Sequence, residues 1–273
     1  MAVTPFQCGI LRLLAQNRRT LGESYVAGGV ALNLLMNAAR RSRDIDLFHD
    51  TATALQESWR LDRQQLHAAG YRLDVIRENP SFVEARVALN GEQTELQWVR
   101  DSAFRFFPLV EDELMGLALH PFDLATNKAL AMAGRLETRD WIDLLQADAC
   151  LQPLGLLVWA ACGKDPGYNP TSLLAILRRH HYSQEEVDML DFAGNVPDAS
   201  ELGRRWHAAL AAAQDYADLL PAKQAGSCVL TDDGDLFRHD ARHLARAIAQ
   251  DAVIFHKGHI RGAWPQVRQP RGP

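Results

Sequence analysis

The sequence predicts an α/β (α+β) N-terminal domain with a small mixed sheet, followed by a mostly helical C-terminal domain. Three observations indicate this order: strand-like and helix-like segments alternate in the first 80 residues, a β-hairpin follows, and strand patterns nearly vanish after about residue 110. We therefore expect one domain over residues 1–115, a helical domain over residues 116–262 and a disordered tail over residues 263–273.

The N-terminal elements are predicted from the spacing of apolar residues. Residues 6–18 place apolar side chains at helical intervals, and Gly28-Gly29 marks a turn from a short strand into a helix. Asp44–Phe48 alternates carboxylate and apolar side chains, as a strand with one buried face does. The expected order is helix 6–18, strand 24–27, helix 30–40, strand 44–48, helix 53–68 and strand 71–76.

A hairpin is the clearest local feature. FVEARVAL and EQTELQWV alternate apolar and polar residues on either side of Asn90-Gly91, a pair suited to a type I′ turn. Pairing across that turn sets Arg86 opposite Glu95 and Glu84 opposite Gln97. The opposite, apolar face then comprises Val83, Ala85, Val87, Leu96 and Trp98.

The C-terminal half is predicted to be mostly helical. The segment from His120 to Asp148 has helical spacing, with a possible break near Glu137-Thr138. Trp206 and Trp264 are predicted to be packing residues. Further helices are expected at 152–162, 170–180, 183–192, 200–218 and 239–255.

Composition limits the class of protein. A net charge of −5 over 273 residues argues against a protein that coats nucleic acid over its whole surface, although a local basic groove stays possible. The four cysteines lack C-x-x-C spacing, which indicates neither a zinc site nor a disulfide framework. No signal peptide is evident, and the longest apolar run, 154–162, is shorter than the ~20 residues of a membrane span. We expect a soluble cytoplasmic protein with no membrane partner.

Two carboxylates on one strand face point to a metal. Asp44 and Asp46 project to the same side of their strand and make each other's ionisation costly. A divalent cation relieves that repulsion, and oxygen ligands suit Mg²⁺ (or Mn²⁺). Since Mg²⁺ typically binds a few carboxylates together with substrate phosphates, a nucleoside triphosphate (NTP) is expected at this site.

The residues before the carboxylates are suited to phosphate. Gly28 and Gly29 lie at a predicted strand-to-helix turn, where backbone N–H groups and the helix dipole favour an anion and no Cβ obstructs its approach. The basic run of residues 40–43, which includes Arg41 and Ser42, can add charge-assisted contacts. Each piece alone is also compatible with a structural turn or a solvated surface.

In this order the pieces resemble a known signature. Gly28-Gly29, a helix, and then Arg41-Ser42-x-Asp44-Ile45-Asp46-Leu47 is similar to the nucleotidyltransferase signature of the polymerase-β-like superfamily. More narrowly, the chain resembles the AbiEii/AbiGii (MenT-like) nucleotidyltransferase toxins, because Lys128-x6-Arg135-x3-Arg139-Asp140-x2-Asp143-Leu144 matches that family's second motif. The resemblance covers roughly residues 20–150.

The second motif also has an interpretation without the family. On one continuous helix, Lys128, Arg135, Arg139 and Asp143 would form one stripe, which could be a solvated face with i,i+4 ion pairs. The functional interpretation is that the basic side chains bind triphosphate, while Asp143 fixes them or assists proton removal. The resemblance favours the functional interpretation.

The resemblance also implies a third carboxylate on a neighbouring strand. Glu95 is the candidate here, and Gln97 is the alternative occupant of that position, in which case a metal ligand or base is weakened. Glu95 could equally form a cross-strand salt bridge to Arg86.

The expected function is therefore Mg²⁺-dependent transfer of a nucleoside monophosphate to an acceptor hydroxyl. The resemblance implies RNA as acceptor, at the 3′ end of tRNA, and a toxin role opposed by a cognate antitoxin. Two alternatives stay open: transfer to a small molecule, as in aminoglycoside nucleotidyltransferases, and a nucleotide-binding regulator without turnover.

Overall fold

A computed structural model of the chain describes residues 2–135 and 137–267, which form two compact units. The sheet unit comprises the described part of residues 1–103 together with residues 109–124 and 191–195. The helix-rich unit comprises residues 104–108 and the described parts of 125–190 and 196–273.

Strands and helices follow one another in the order of the chain. The strands are β1 Ser24–Ala27, β2 Asp44–His49, β3 Arg72–Asn79, β4 Phe82–Leu89, β5 Glu92–Arg100, β6 Phe104–Arg105, β7 Val110–Asp112, β8 Gly116–Ala118, β9 Ser227–Thr231, β10 Val253–Lys257 and β11 His259–Ile260. The helices are α1 Pro5–Leu21, α2 Gly28–Leu35, α3 Ala52–Ala68, α4 Pro121–Gly134, α5 Thr138–Cys150, α6 Leu154–Ala161, α7 Pro170–Leu177, α8 Gln184–Asp188, α9 Ala199–Leu219 and α10 Ala241–Ala249, with a short 3₁₀ turn at Ala222–Gln224.

A seven-stranded mixed sheet organises the sheet unit. Its strand order is β3-β4-β5-β2-β1-β8-β7, with β2 parallel to β5, β1 parallel to β8 and the other neighbours antiparallel. The β2–β5 pairing sets Asp44 beside Glu95 and Asp46 beside Gln97. The polar face of β2 and the polar face of the hairpin are therefore one continuous surface.

The predicted hairpin is confirmed in its register. Arg86 lies opposite Glu95, and Glu84 lies opposite Gln97. The five apolar residues predicted for the other face are all buried. They pack in the core of the sheet unit together with side chains from α1 and α3. The predicted helix near residues 30–40 is shorter and ends at Leu35.

A polar network lies buried in the sheet unit behind that core. The Arg18 guanidinium donates hydrogen bonds to both carboxylate oxygens of Asp62 at 2.7 Å and to Ser58 at 2.8 Å. His49, at the end of β2, joins this network through Ser24, with 3.0 Å between its Nε2 and the Ser24 hydroxyl. Burial, together with the positive charge of Arg18, lowers the pKa of His49 to about 4.

Acid is expected to destabilise the fold through His49. The His49 imidazole binds a proton near pH 6.5 in the unfolded chain and only near pH 4 in the folded chain. The free energy of unfolding therefore falls as the pH drops through that interval, and the contribution of His49 does not change further below it. The full loss is about 3 kcal/mol. Urea unfolding between pH 7.5 and 4 should show the slope, and His49→Gln should reduce it. An unchanged slope in the variant would contradict the prediction.

The helix-rich unit packs its helices around a fully buried α6 and a two-stranded antiparallel ladder of β9 and β10. The predicted helix over 239–255 is wrong beyond Ala249, because Val253–Lys257 pairs with Ser227–Thr231 as β10. Both strands are only five residues long, and the sequence pattern did not separate the apolar start of β10 from a helix. Trp206 is buried as predicted.

Trp264 was predicted to be a packing residue, and that prediction is wrong, since the side chain is 66% exposed.

Residues 268–273 of the predicted disordered tail lie outside the described residues. Among the described helices, none is long and apolar enough to cross a membrane by itself; α5 and α6, bent by 115° at their junction, meet the length and composition criteria only as a pair.

Candidate active site

The strand β2 carries the two aspartates on one face. Asp44 and Asp46 are half-buried, whereas Ile45 and Leu47 point into the core and are almost fully buried. This alternation confirms the predicted strand and explains how two carboxylates share one side of it. Both belong to the polar surface that β2 shares with β5.

Gly28 gives the Asp46 carboxylate its place. Gly28 follows β1 with a φ of +63°, a conformation that L side chains rarely adopt. A Cβ atom at this position would overlap Oδ2 of Asp46 and lie 2.6 Å from its Cγ. The glycine is therefore needed twice, for its backbone conformation and for the close approach of the carboxylate.

Gly29 gives room to two further side chains. A Cβ atom there would lie 2.6 Å from the Ser42 hydroxyl oxygen and 2.9 Å from Nη2 of Arg40. The Ser42 hydroxyl in turn donates a hydrogen bond to Oδ1 of Asp44 at 3.1 Å. The glycine pair, Ser42 and the two aspartates thus form one contiguous cluster, which we call the carboxylate–glycine site.

The first turn of α2 is suited to an anion. Its N-cap residue, Ala27, has no side-chain oxygen to cap the helix. Exposed N–H groups at a helix N-terminus and the helix dipole favour phosphate. The side chain of Arg40 reaches this turn, although the residue is almost fully buried. The Arg40 guanidinium therefore lies beside the N-terminus of α2.

Arg40 was not among the predicted site residues. Arg40 and Ser42 are buried, whereas Arg43 is exposed and Arg41 is half-exposed. Arg40 forms an isolated antiparallel bridge with Phe192, and burial alternates along residues 40–43. The sequence signal for a buried Arg40 was the alternation of every second residue within RRSR. That alternation was not recognised because the stretch is a run of basic residues.

Arg41 lies at the edge of the site. Its backbone N–H donates to the carbonyl of Asp191 at 2.8 Å, and its guanidinium lies 3.5 Å from the Asp191 carboxylate. The segment at residues 191–195 therefore holds the strand-like stretch before β2 in place.

Glu95 and Gln97 share the face of the aspartates. Glu95 accepts a hydrogen bond from Arg86 at 3.1 Å, and Gln97 donates one to Glu84 at 3.1 Å. The salt bridge anticipated for Glu95 is therefore present, while the strand pairing also sets Glu95 beside Asp44. Its role as a third catalytic carboxylate stays a prediction.

The donor set fits a hard divalent cation. Asp44 and Asp46 offer carboxylate oxygens on one face, with a phosphate-compatible helix terminus at the same place. Mg²⁺ typically binds through one or two carboxylates when substrate phosphates complete its coordination. Among the described residues, no group of three or more His, Cys, Asp or Glu side chains is arranged to hold a metal ion.

Exchanging Gly28 for alanine is expected to displace the Asp46 carboxylate and abolish any activity that depends on it. The added methyl group would occupy the space of that carboxylate, and Asp46 must rotate away. Gly22→Ala is the matched control, because Gly22 has a φ of +67° and nothing within 4 Å of its would-be Cβ. Both variants should lose about 1 kcal/mol of stability to backbone strain. Equal activity in the two variants would contradict the prediction.

The second motif lies in the helix-rich unit, and the structure revises its geometry. Helix α4 ends at Gly134 and α5 begins at Thr138, so a continuous helix over 128–145 is wrong, and the break anticipated near Glu137-Thr138 is confirmed. The single stripe therefore does not form. The two helices instead converge on a compact ion cluster.

Asp140 is the centre of that cluster, although it was not among the predicted site residues. The Lys128 ammonium lies 2.7 Å from Asp140 and 2.9 Å from Asp143. The Arg135 guanidinium donates to both oxygens of Asp140, at 2.8 and 3.2 Å. Lys128 and both aspartates are buried, and we call these four residues the lysine cluster.

The charges of the lysine cluster stabilise one another. Burial would raise the pKa of Asp140, but the neighbouring Lys128 and Arg135 outweigh it and hold that pKa below its usual value. Asp140 therefore stays ionised and fixes both cations. Arg139 lies beside the cluster in sequence, with its Nε 3.9 Å from a carboxylate oxygen of Glu137 and its side chain about one-third exposed.

The structure thus places the eleven predicted site residues in two groups. Gly28, Gly29, Arg41, Ser42, Asp44, Asp46 and Glu95 belong to the sheet unit, and Lys128, Arg135, Arg139 and Asp143 belong to the helix-rich unit. Within each unit, most of them take part in one network of contacts.

The sequence matches no family model and no curated protein. Solved structures do resemble the chain. MenT4, a nucleotidyltransferase toxin from Mycobacterium tuberculosis H37Rv, is 19% identical with a TM-score of 0.52, over 80% of this chain and 83% of that one. JHP933 from Helicobacter pylori is 16% identical with a TM-score of 0.50, over 77% and 91%. The chain therefore has a nucleotidyltransferase-like fold.

Proposed function

We propose that the protein is a Mg²⁺-dependent nucleotidyltransferase that moves a nucleoside monophosphate from an NTP to an acceptor hydroxyl. The hydroxyl oxygen bonds to the α-phosphorus, the bond between the α- and β-phosphates breaks, and pyrophosphate leaves. The observation that carries this proposal is the contact of the Asp46 carboxylate with Gly28, at the N-terminus of α2 and beside Asp44. The carboxylates that we propose as metal ligands are thereby adjacent to the helix N-terminus that we propose as the phosphate site. The fold shared with MenT4 is consistent with the same reaction class.

The residues of the carboxylate–glycine site have separate roles in this proposal. Asp44 and Asp46 hold the metal, which when bound supplies charge stabilisation for the reacting phosphate. Gly28 and Gly29 admit the triphosphate to the backbone N–H groups of α2. Ser42 orients Asp44 through its hydrogen bond, and Arg40 and Arg41 add positive charge.

Proton removal from the acceptor hydroxyl needs a carboxylate near the metal ligands. Glu95 is our candidate for this base, because it neighbours Asp44 in the β2–β5 pairing. Its salt bridge with Arg86 is half-exposed, and such pairs contribute little to stability. Replacing Arg86 by the incoming hydroxyl group as the partner of Glu95 would therefore cost little free energy.

For the helix-rich unit we propose that Lys128, Arg135 and Arg139 are nucleotide-binding residues. Of the two roles considered for Asp143, the contact with Lys128 at 2.9 Å favours fixing the basic side chains over proton removal. Asp140 has the same fixing role for Lys128 and Arg135.

We further propose RNA as the acceptor, at the 3′ end of tRNA, and a toxin role opposed by a cognate antitoxin. The support is the second motif's resemblance to the MenT-like toxins and the fold shared with MenT4. The chain's net charge of −5 requires that RNA meet a local basic surface.

The test is transfer of label. The protein is incubated with each α-labelled NTP, Mg²⁺ or Mn²⁺, and total RNA, and the products are separated on a denaturing gel. We expect label from one or more of the NTPs on a discrete RNA band, and none after chelation of the metal. Label on a small molecule only would overturn the RNA acceptor, and no label with any nucleotide would overturn the reaction.

A further inference from the structure

Residues 257–267 of the helix-rich unit expose three large apolar side chains, Ile260, Trp264 and Val267. Trp264 is 66% exposed and Ile260, in β11, is 68% exposed. A tryptophan is usually well buried, since its ring offers a large apolar area to a core. Trp264 therefore presents a flat aromatic face to solvent.

Positive charge surrounds these side chains in the sequence. The last 22 residues of the sequence, which follow Asp251, contain no acidic residue and four lysines or arginines. Two of the four, Lys257 and Arg261, lie among the described residues. The remaining 251 residues carry 25 Lys and Arg against 34 Asp and Glu, a net charge of −9. The sign of the charge thus reverses at this end of the chain.

Hydrogen bonds hold this segment in a defined shape. β11 pairs with β6, and the N–H of Ala263 donates to the carbonyl of Phe106 at 3.1 Å. A tight turn joins these two anchors, closed by the N–H of Gly262 on the carbonyl of His259 at 3.1 Å. Arg261 occupies that turn with a φ of +67°, which is uncommon for a residue other than glycine.

We propose that the segment Lys257–Val267 is a binding surface for single-stranded RNA. An unpaired base would stack on Trp264, and the phosphates beside it would lie near Lys257 and Arg261. Exposed aromatic rings together with basic side chains are the chemistry that single strands require. An acidic peptide would satisfy the cations but would offer no planar ring to Trp264.

The surface has a limit on one side. Pro265 and Val267 lie against the turn at Gly234, where a Cβ atom would be 3.5 Å from Cγ of Pro265 and 2.7 Å from Cγ1 of Val267. That turn contains Asp232, Asp233 and Asp235, which repel phosphate. The RNA is therefore expected to approach along Lys257, Arg261 and Trp264, away from the acidic turn.

The inference rests on the proposed function only in taking RNA as the ligand, and its test needs no transfer. Binding of a fluorescein-labelled single-stranded RNA of about twelve nucleotides to the full chain is measured by anisotropy, without NTP or metal. Trp264→Ala should weaken binding about tenfold, and Trp264→Phe should restore most of it. Met189→Ala, which truncates an equally exposed apolar residue, should leave binding unchanged.

Charge variants give an independent readout. Lys257→Ala should reduce the slope of log affinity against log salt by about 0.7, the contribution of one phosphate contact in a single strand. Asp233→Asn should tighten binding. Unchanged affinity in Trp264→Ala, or displacement of the RNA by a polyglutamate peptide at equal charge concentration, would overturn the proposal.

The two proposals can fail separately. Trp264-dependent RNA binding with no labelled product would overturn the transfer reaction and leave this surface standing. If the protein labels RNA and Trp264→Ala leaves the KM for RNA unchanged, the proposed RNA-binding surface is wrong and the proposed reaction is supported.

Discussion

Exchanging Asp44 or Asp46 for asparagine is expected to lower nucleotide transfer by about a thousandfold. Each substitution removes a negatively charged oxygen ligand but keeps the shape of the side chain. Stabilisation of transition-state charge by a bound metal is worth several kcal/mol, and each ~1.4 kcal/mol changes the rate tenfold. The rate is measured as label transferred from the preferred NTP, at saturating Mg²⁺.

Stability should be almost unchanged in these variants, because both carboxylates lie on the half-exposed face of β2 and the core residues Ile45 and Leu47 are untouched. Urea unfolding checks this expectation. Asp74→Asn is the matched control, an exposed aspartate on β3 of the same sheet. Transfer by Asp44→Asn at the wild-type rate would overturn the assignment of the metal site, whatever the fate of the RNA proposal.

Local structure around this site was predictable from the sequence. Alternation in DIDL predicted the strand, and Asn90-Gly91 with alternating flanks predicted the hairpin register residue by residue. These features depend on neighbouring residues alone, through the period of two and the turn geometry. The exposure of both aspartates on one face followed directly.

Long-range contacts were less predictable. That β2 lies parallel to β5, and hence that Asp44 neighbours Glu95, depends on a crossover of some forty residues that no local pattern specifies. Asp140 was missed because the ion cluster requires two helices to converge at the break after Gly134, whereas helical periodicity treats the segment as one cylinder. The pairing of β9 with β10 was missed because the sequence pattern did not separate the short strand β10 from a helix.

The buried pair of Arg18 and Asp62 also escaped sequence analysis, since both residues lie in predicted amphipathic helices. Asp62 accepts hydrogen bonds from Arg18, from the indole N–H of Trp98 at 2.8 Å and from Asn17 at 2.7 Å. Arg18 and Asp62 are fully buried. The pair links α1 to α3 and, through Trp98, to β5.

Asp62→Ala is expected to destabilise the protein by about 3–5 kcal/mol, because it leaves the Arg18 guanidinium buried without its counter-charge. The double variant Arg18→Met/Asp62→Leu should recover most of that loss, since it removes both charges and fills the space with apolar atoms. Glu57→Ala, which breaks an exposed pair with Arg60 on the same helix, should leave the urea midpoint unchanged.

Comparing the single and double variants separates two explanations of the pair. If the ion pair is itself stabilising, the double variant should be as unstable as Asp62→Ala. If the loss comes from an uncompensated buried charge, the double variant should unfold near the wild-type urea concentration. The remaining loss of stability is then that of the two hydrogen bonds that Trp98 and Asn17 donate to Asp62. The second result is expected, because desolvation of two charges offsets most of their attraction in a site that water does not reach.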